Sequence, residues 1–148
     1  MPALQTSYTQ FHARWVEGMI LNSEPSDIIS RIVESAAGIG FGKVACQGVA
    51  DNGVIVPAAS KAYRGITVLD PTQVGGTVDT FAQYATAAVM TKGVIVAQAS
   101  VAVAVGDPVY FVPATGVLTN VATSNTQIPN AIWETSTSGA GLAAIRLG

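Results

Sequence analysis

The sequence predicts an all-β fold, an antiparallel sandwich or barrel with an arm at its N-terminus, and three observations carry that prediction. Fifteen Gly and seven Pro cut the 148 residues into short segments. Several of those segments alternate apolar and polar or small residues with the two-residue period of a half-buried strand. Turn signals recur about every 8–20 residues, the rhythm of an antiparallel β-protein. These signals are Asp51-Asn52-Gly53, Asp70-Pro71, Gly75-Gly76, Gly106-Asp107-Pro108 and Ala114-Thr115-Gly116.

The N-terminal part comes first. Tyr8, Phe11, Trp15 and Met19 recur at intervals of three and four residues, as one stripe of a short helix would. Three of the ten aromatics lie in this stretch, ahead of any compact strand pattern. Two readings stay open: a terminal helix or arm folded onto its own domain, or an arm that docks its aromatics on a neighbouring subunit, where Trp and Tyr anchors are enriched. Residues 1–25 are therefore read as an arm and residues 26–148 as a single β domain. Ile28–Ser35 fits both periods and is read as a strand. The clearer strands are Lys43–Gly48, Arg64–Leu69, Gly93–Ala99, Pro108–Val112, Ala131–Thr135 and Leu142–Leu147. In Arg64–Leu69, Ile66 and Val68 share one face, with Gly65, Thr67 and Leu69 on the other. Gly53–Val56 and Gly93–Val96 are the same tetrapeptide, 40 residues apart; their flanks differ, so the echo reflects shared strand-entry chemistry and not a repeat. Thr119–Gln127 reads as a surface loop.

Composition narrows the function classes. Charged residues make up 11% of the chain against about 25% in an ordinary soluble domain, so other subunits are expected to cover some of the surface. Every apolar run is broken before the roughly 18–20 residues that a spanning helix needs. The start shows no basic stretch followed by an apolar one, so neither a membrane span nor a signal peptide is expected. Seven Lys and Arg are spread thinly and the net charge is −2, which disfavours nucleic acid as a partner. The single cysteine, Cys46, lies inside a strand-like run and reads as a small buried hydrophobe.

A search for chemistry finds no catalytic residue, no metal site and no cofactor cradle. His12 is the one imidazole, and it sits in the arm, a poor place for pre-organisation. Asp51, Asp70 and Asp107 stand beside Gly, Asn or Pro, where short polar side chains cap turns. Gly38–Gly42 resembles part of a phosphate loop, but it lacks the Gly-Lys-Ser/Thr ending and leads into a strand. A Gly-rich bend is the better reading.

Several strings, in order, carry a resemblance. They are Gly18-Met19-Ile20, Ser26–Glu34, Phe41-Gly42-Lys43-Val44 with Gln47-Gly48, Tyr63–Val68, Ala87–Gly93, Gly106–Tyr110 and Gly141–Leu147. None is specific alone. Together, over roughly 130 residues, the chain resembles the capsid cement (decoration) proteins of tailed bacteriophages. The resemblance implies a jelly-roll β-sandwich on the exterior of the virion shell, made in the host cytoplasm, with no catalytic residues. It implies an HK97-fold major capsid protein as partner, neighbouring capsid subunits tied together, and a homodimer before a homotrimer of tulip-like form. On that reading Tyr8, Phe11, Trp15 and Met19 are the expected interface residues. A tail or spike β-domain of the virion is the rival function, and a small hydrolase using Cys46 is a third.

Overall fold

A computed structural model describes residues 15–73 and 77–148; Tyr8, Phe11, His12 and the Gly75-Gly76 turn signal lie outside them. Eleven strands form among the described residues and no helix does. In chain order they are β1 Asp27–Val33, β2 Ile39–Gly40, β3 Val44–Gln47, β4 Gly53–Ile55, β5 Tyr63–Thr67, β6 Thr80–Phe81, β7 Thr86–Ala99, β8 Pro108–Phe111, β9 Leu118–Thr119, β10 Thr126–Trp133 and β11 Gly141–Leu147. Each strand expected from the sequence is present, with ends shifted by a few residues. Ile28–Ser35 is a strand, as β1.

The nine-stranded sheet, ordered β1-β4-β3-β5-β7-β11-β10-β8-β9, closes on itself twice, because β1 and β9 each also pair with β7. The result is two small five-stranded rings that share one long strand. Ring one is β1, β4, β3, β5 and the first half of β7; ring two is the second half of β7 with β11, β10, β8 and β9. Closure removes most sheet edges, which otherwise template aggregation. The all-β expectation holds at this level. Of the expected antiparallel sandwich or barrel, the closed rings favour the barrel, and two of the pairings, β1–β4 and β7–β9, are parallel.

Strand β7 explains both the architecture and one underestimate. The sequence predicts a strand only from Gly93, yet it begins at Thr86. Ala87, Val89, Met90, Val94, Ile95, Val96 and Ala97 are all at most 1% exposed, so this segment is buried on both faces and shows no alternation to read. Its neighbours change along its length. Thr86–Lys92 pairs with β1, and Gly93–Ala99 pairs with β11 in seven consecutive registers.

Two cores result. Val33, Ala45, Val54, Ala87 and Val89, with Ile39 and Phe81 from the small β2–β6 sheet and Phe41 from the turn after β2, fill ring one. Phe41 and Phe81 meet edge-on at 4.9 Å between centroids, an arrangement favoured by their quadrupoles. The second core combines ring two (Ile95, Phe111, Ile128, Trp133, Ile145) with Val44, Cys46, Ile66 and Met90 from strands of ring one. Val44 and Cys46 thus face one core and Ala45 the other, so β3 is a wall between them. Tyr63 of β5 reaches Phe111 of β8 at 6.1 Å. Burying each such large apolar side chain stabilises by roughly 1.5–3 kcal/mol. Cys46 is fully buried, as expected, and burial pushes its thiol pKa up.

Two sequence expectations need correction. Residues 15–19, the described part of the three-and-four stripe, are not helical: they run into a turn at Glu17-Gly18, and Gly18 has φ +82°. The polar stretch expected as a loop over Thr119–Gln127 is partly strand. Thr119 ends β9 and Thr126-Gln127 open β10, because both pair with β8 at Tyr110 and Phe111.

Candidate functional site

The segment leading into β1 is fixed to the β domain by its backbone. Gly18 N–H donates to Val96 O (2.8 Å), Leu21 N–H to Val94 O (3.2 Å) and Val96 N–H to Met19 O (2.9 Å), while Leu69 N–H donates to Gly18 O (2.9 Å). Ile20 bridges to Ile95 in antiparallel sense. The segment occupies the side of β7 opposite β11, between the place where β5 pairs (Met90) and the place where β9 pairs (Ala99). It acts as a strap that completes β7.

Glycine makes the crossing possible. Gly18 and Gly42 both have positive φ, +82° and +68°. A Cβ on Gly42 would meet Gly18 N at 2.6 Å, and one on Gly18 would meet Leu69 N at 2.8 Å. Backbone lies against backbone here, so neither neighbour can give way. Ion pairs fasten both sides of the crossing. Glu17 meets Lys43 at 2.6 Å. Farther on, Arg146 of β11 grips Glu24 through Nη1 at 2.6 Å and Glu134 through Nε at 3.0 Å. The guanidinium lowers the Glu24 carboxyl below its ordinary 4.5 by hydrogen bonding and charge, and the two carboxylates raise Arg146 in return.

Trp15, half-buried, stands where the described chain begins, on the wall of an open furrow. Its central part, of about 600 Å³, is lined by Trp15, Glu17, Phe41, Lys43, Leu69 and Leu142 among others. It continues on one side toward Asp70 and Pro71 and on the other toward Gly116 and Val117, through shared lining residues. Val78 at its margin is 84% exposed. Of the four expected interface residues, the structure therefore puts Trp15 on the furrow and Met19, half-buried, in the strap; Tyr8 and Phe11 lie outside the described residues. The expectation missed Glu17, Gly18, Gly42, Lys43, Glu24 and Arg146, which hold the arm's root. Their sequence signal was faint: the glycines stood in strings quoted for family resemblance, but nothing local said that they touch each other.

Three carboxylates of the domain are engaged at turns. Glu34 accepts from the N–H groups of Val49 (2.7 Å) and Ala50 (2.9 Å), which lowers its pKa. Asp70 accepts from the Thr72 hydroxyl and N–H and from Gln73. Asp107 accepts from Asn120 Nδ2 (2.8 Å) and Ala104 N–H (2.9 Å). This matches the turn-capping role expected for the last two. Among the described residues no three His, Cys, Asp or Glu side chains converge as a metal site would require.

These features are those of a rigid β-scaffold with an anchored N-terminal root, and comparison with known proteins agrees. The family model described as "Structural cement protein (E217 gp24/Pam3 gp6)" matches residues 4–148. The chain belongs to this family of structural cement proteins. A solved structure titled "The capsid of Myoviridae Phage XM1" contains a chain of similar fold, with a TM-score of 0.75 at 16% identity. The likeness spans 99% of this cement protein and 98% of that chain. No curated protein matches it. The resemblance seen in the sequence is thus confirmed at family level, and the chain is a structural protein of a phage capsid.

Proposed function

We propose that this protein sits on the exterior of a phage head, binds an HK97-fold major capsid protein and bridges neighbouring subunits, stabilising the expanded shell without any enzymatic role. A protein that binds only the expanded lattice favours that state by mass action, and attachment at two points multiplies weak contacts into strong retention. Residues 1–25 are the attachment arm, with 15–24 as its root. Tyr8, Phe11, Trp15 and Met19 are its anchors, and the bridging unit is a homodimer assembled after synthesis in the host cytoplasm. The observation that carries the reading is the family match along residues 4–148, joined to the backbone-fixed strap at residues 18–21 and to Trp15 on the wall of an open furrow.

The test is a truncation lacking residues 1–14, mixed with expanded heads stripped of cement protein. The account expects a folded protein that no longer co-sediments with heads. A folded truncation that still binds would contradict the role given to the arm.

A further inference from the structure

The furrow at the root of the arm is open, and it is longer than its central part. That part shares Phe41, Leu69 and Val78 with the branch toward Pro71, and Lys43 and Gln98 with the branch toward Gly116. A trough that continues at both ends suits a length of extended chain, whereas small ligands are held in clefts that bury most of their surface. Apolar side chains stand open along it. Val78 is 84% and Val16 50% exposed, and Trp15 and Leu142 are half-buried beside them.

The furrow is also acidic. Glu17, Asp70 and Asp79 lie on it, and the one cation among its described lining residues, Lys43, is paired with Glu17 at 2.6 Å. Asp70 is engaged by Thr72 and Gln73. Asp79 is exposed, its backbone is fixed by the Phe41 N–H that donates to its carbonyl (3.0 Å), and it has no cationic partner among the described residues. The chain enters this furrow at Trp15, and residues 1–14 have the matching chemistry. They carry Leu4, Tyr8 and Phe11, the imidazole of His12 and the cation Arg14, and no carboxylate. Fully extended they span roughly 46–50 Å, more than the roughly 30 Å diameter of a small domain. The segment is long enough to reach any point of the furrow.

From this we infer that in the free protein the furrow is occupied by the chain's own residues 1–14. Tethering selects that occupant. A segment joined to the furrow wall is present there at an effective concentration of about 1 mM, about 100-fold above a second copy or a foreign peptide at about 10 µM. Arg14, the neighbour of Trp15, pairs with Asp79, while Tyr8 and Phe11 cover the apolar wall. An arm held in this way is closed to other surfaces, so its apparent affinity for any partner falls with the fraction left undocked. The anchors are thereby sheltered until a capsid lattice offers a stronger contact. That consequence rests on the cement reading; the docking does not.

Chymotryptic cleavage after Tyr8 and Phe11 in the isolated full chain tests the inference, because both bonds lie well outside the backbone-fixed strap at residues 18–21. A synthetic peptide of residues 1–14 gives the rate for an undocked arm. The full chain is expected to be cut about 10-fold more slowly, with protection unchanged between about 1 and 100 µM protein. Asp79→Asn, which keeps a residue that accepts φ +56°, is expected to speed cleavage about 3-fold. Val78→Lys combined with Asp79→Asn is expected to speed it about 10-fold. Both positions are exposed, so urea unfolding should be the same for these variants and the wild type. Val49→Lys, on an exposed turn away from the furrow, should leave the rate unchanged. Cleavage as fast as in the peptide would overturn the inference, as would protection that neither furrow variant reduces. Protection that grows with protein concentration would assign the furrow to a neighbour's arm and also overturn it. A protected arm in a chain that never binds heads would leave the docking standing and remove the cement reading.

Discussion

Ring one and ring two share β7 but are stabilised differently. Ring two relies on continuous pairing, with β11 matched to β7 along seven registers, and on its largest buried side chains, Trp133 and Phe111. Ring one has a ladder of similar length, β1 with β7 in six registers broken by a bulge, and is held at its joints by specific polar and steric devices. Glu34 staples the turn after β3, Thr67 Oγ1 donates to Gly40 O at 2.6 Å, and the strap crosses at the Gly18–Gly42 contact. A ladder tolerates the loss of one bond, because neighbouring bonds maintain the register. A joint does not. Ring one should therefore be the region where single changes matter most, while the root of the arm lies across both rings, on Val94 and Val96 of ring two and on Gly42, Lys43 and Leu69 beside ring one.

The largest effect expected from this contrast comes from truncation. Removing residues 1–22 deletes the strap with its four backbone hydrogen bonds to Val94, Val96 and Leu69. At about 1 kcal/mol each, stability in urea unfolding should fall about 4 kcal/mol below that of a truncation lacking residues 1–14. Equal stability of the two truncations would show that the strap is dispensable.

Next in size is Gly42→Val. The new side chain meets the Gly18 backbone and must adopt φ +68°, a conformation that a β-branched residue rarely accepts. A loss of about 2–4 kcal/mol is expected, against about 1 kcal/mol or less for the same change at Gly139, which has open space around it.

The joints should also respond to acid. Glu24 and Glu34 have pKa values held below the ordinary 4.5, and Asp70 and Asp107 below 3.8. Lowered folded-state values mean that the unfolded chain binds protons first. The stabilisation is complete above the ordinary values and is lost as pH falls through the folded ones. The melting temperature should be flat from about pH 8 to 5 and fall below about pH 4. Glu34→Gln should flatten part of that fall, and a rise on acidification would refute the assignment.

The smallest effect concerns Cys46. Fully buried, with its thiol pKa raised by burial, it should resist alkylation in native protein and react only at the rate of unfolding. Rapid native modification would show that the wall between the two cores opens readily and would revive the hydrolase alternative.

Alternation, turn dipeptides and glycine spacing made most strands legible, because those signals are local. Residues such as Ile66 and Val68, alternating with Thr67, announce a strand directly. The double closure was not legible. It depends on β7 changing partners at Gly93, on the parallel Ala99–Leu118 pairing and on a strap from residues 18–21, all contacts between distant parts of the chain. The N-terminal stripe misled for a related reason. Trp15 and Met19 keep helical spacing, but Gly18 between them serves a backbone crossing that only the tertiary structure reveals. Arg146 looked like one polar residue on a strand face, and its grip on Glu24 spans 122 residues.

The most direct test of the cement function is quantitative mass spectrometry of gradient-purified virions, comparing this chain with the major capsid protein. A ratio near one, or a simple fraction of one, is the expected result for a protein that clamps the whole shell. A handful of copies per particle would instead place it at a tail or a single vertex, and absence from particles would contradict the account entirely.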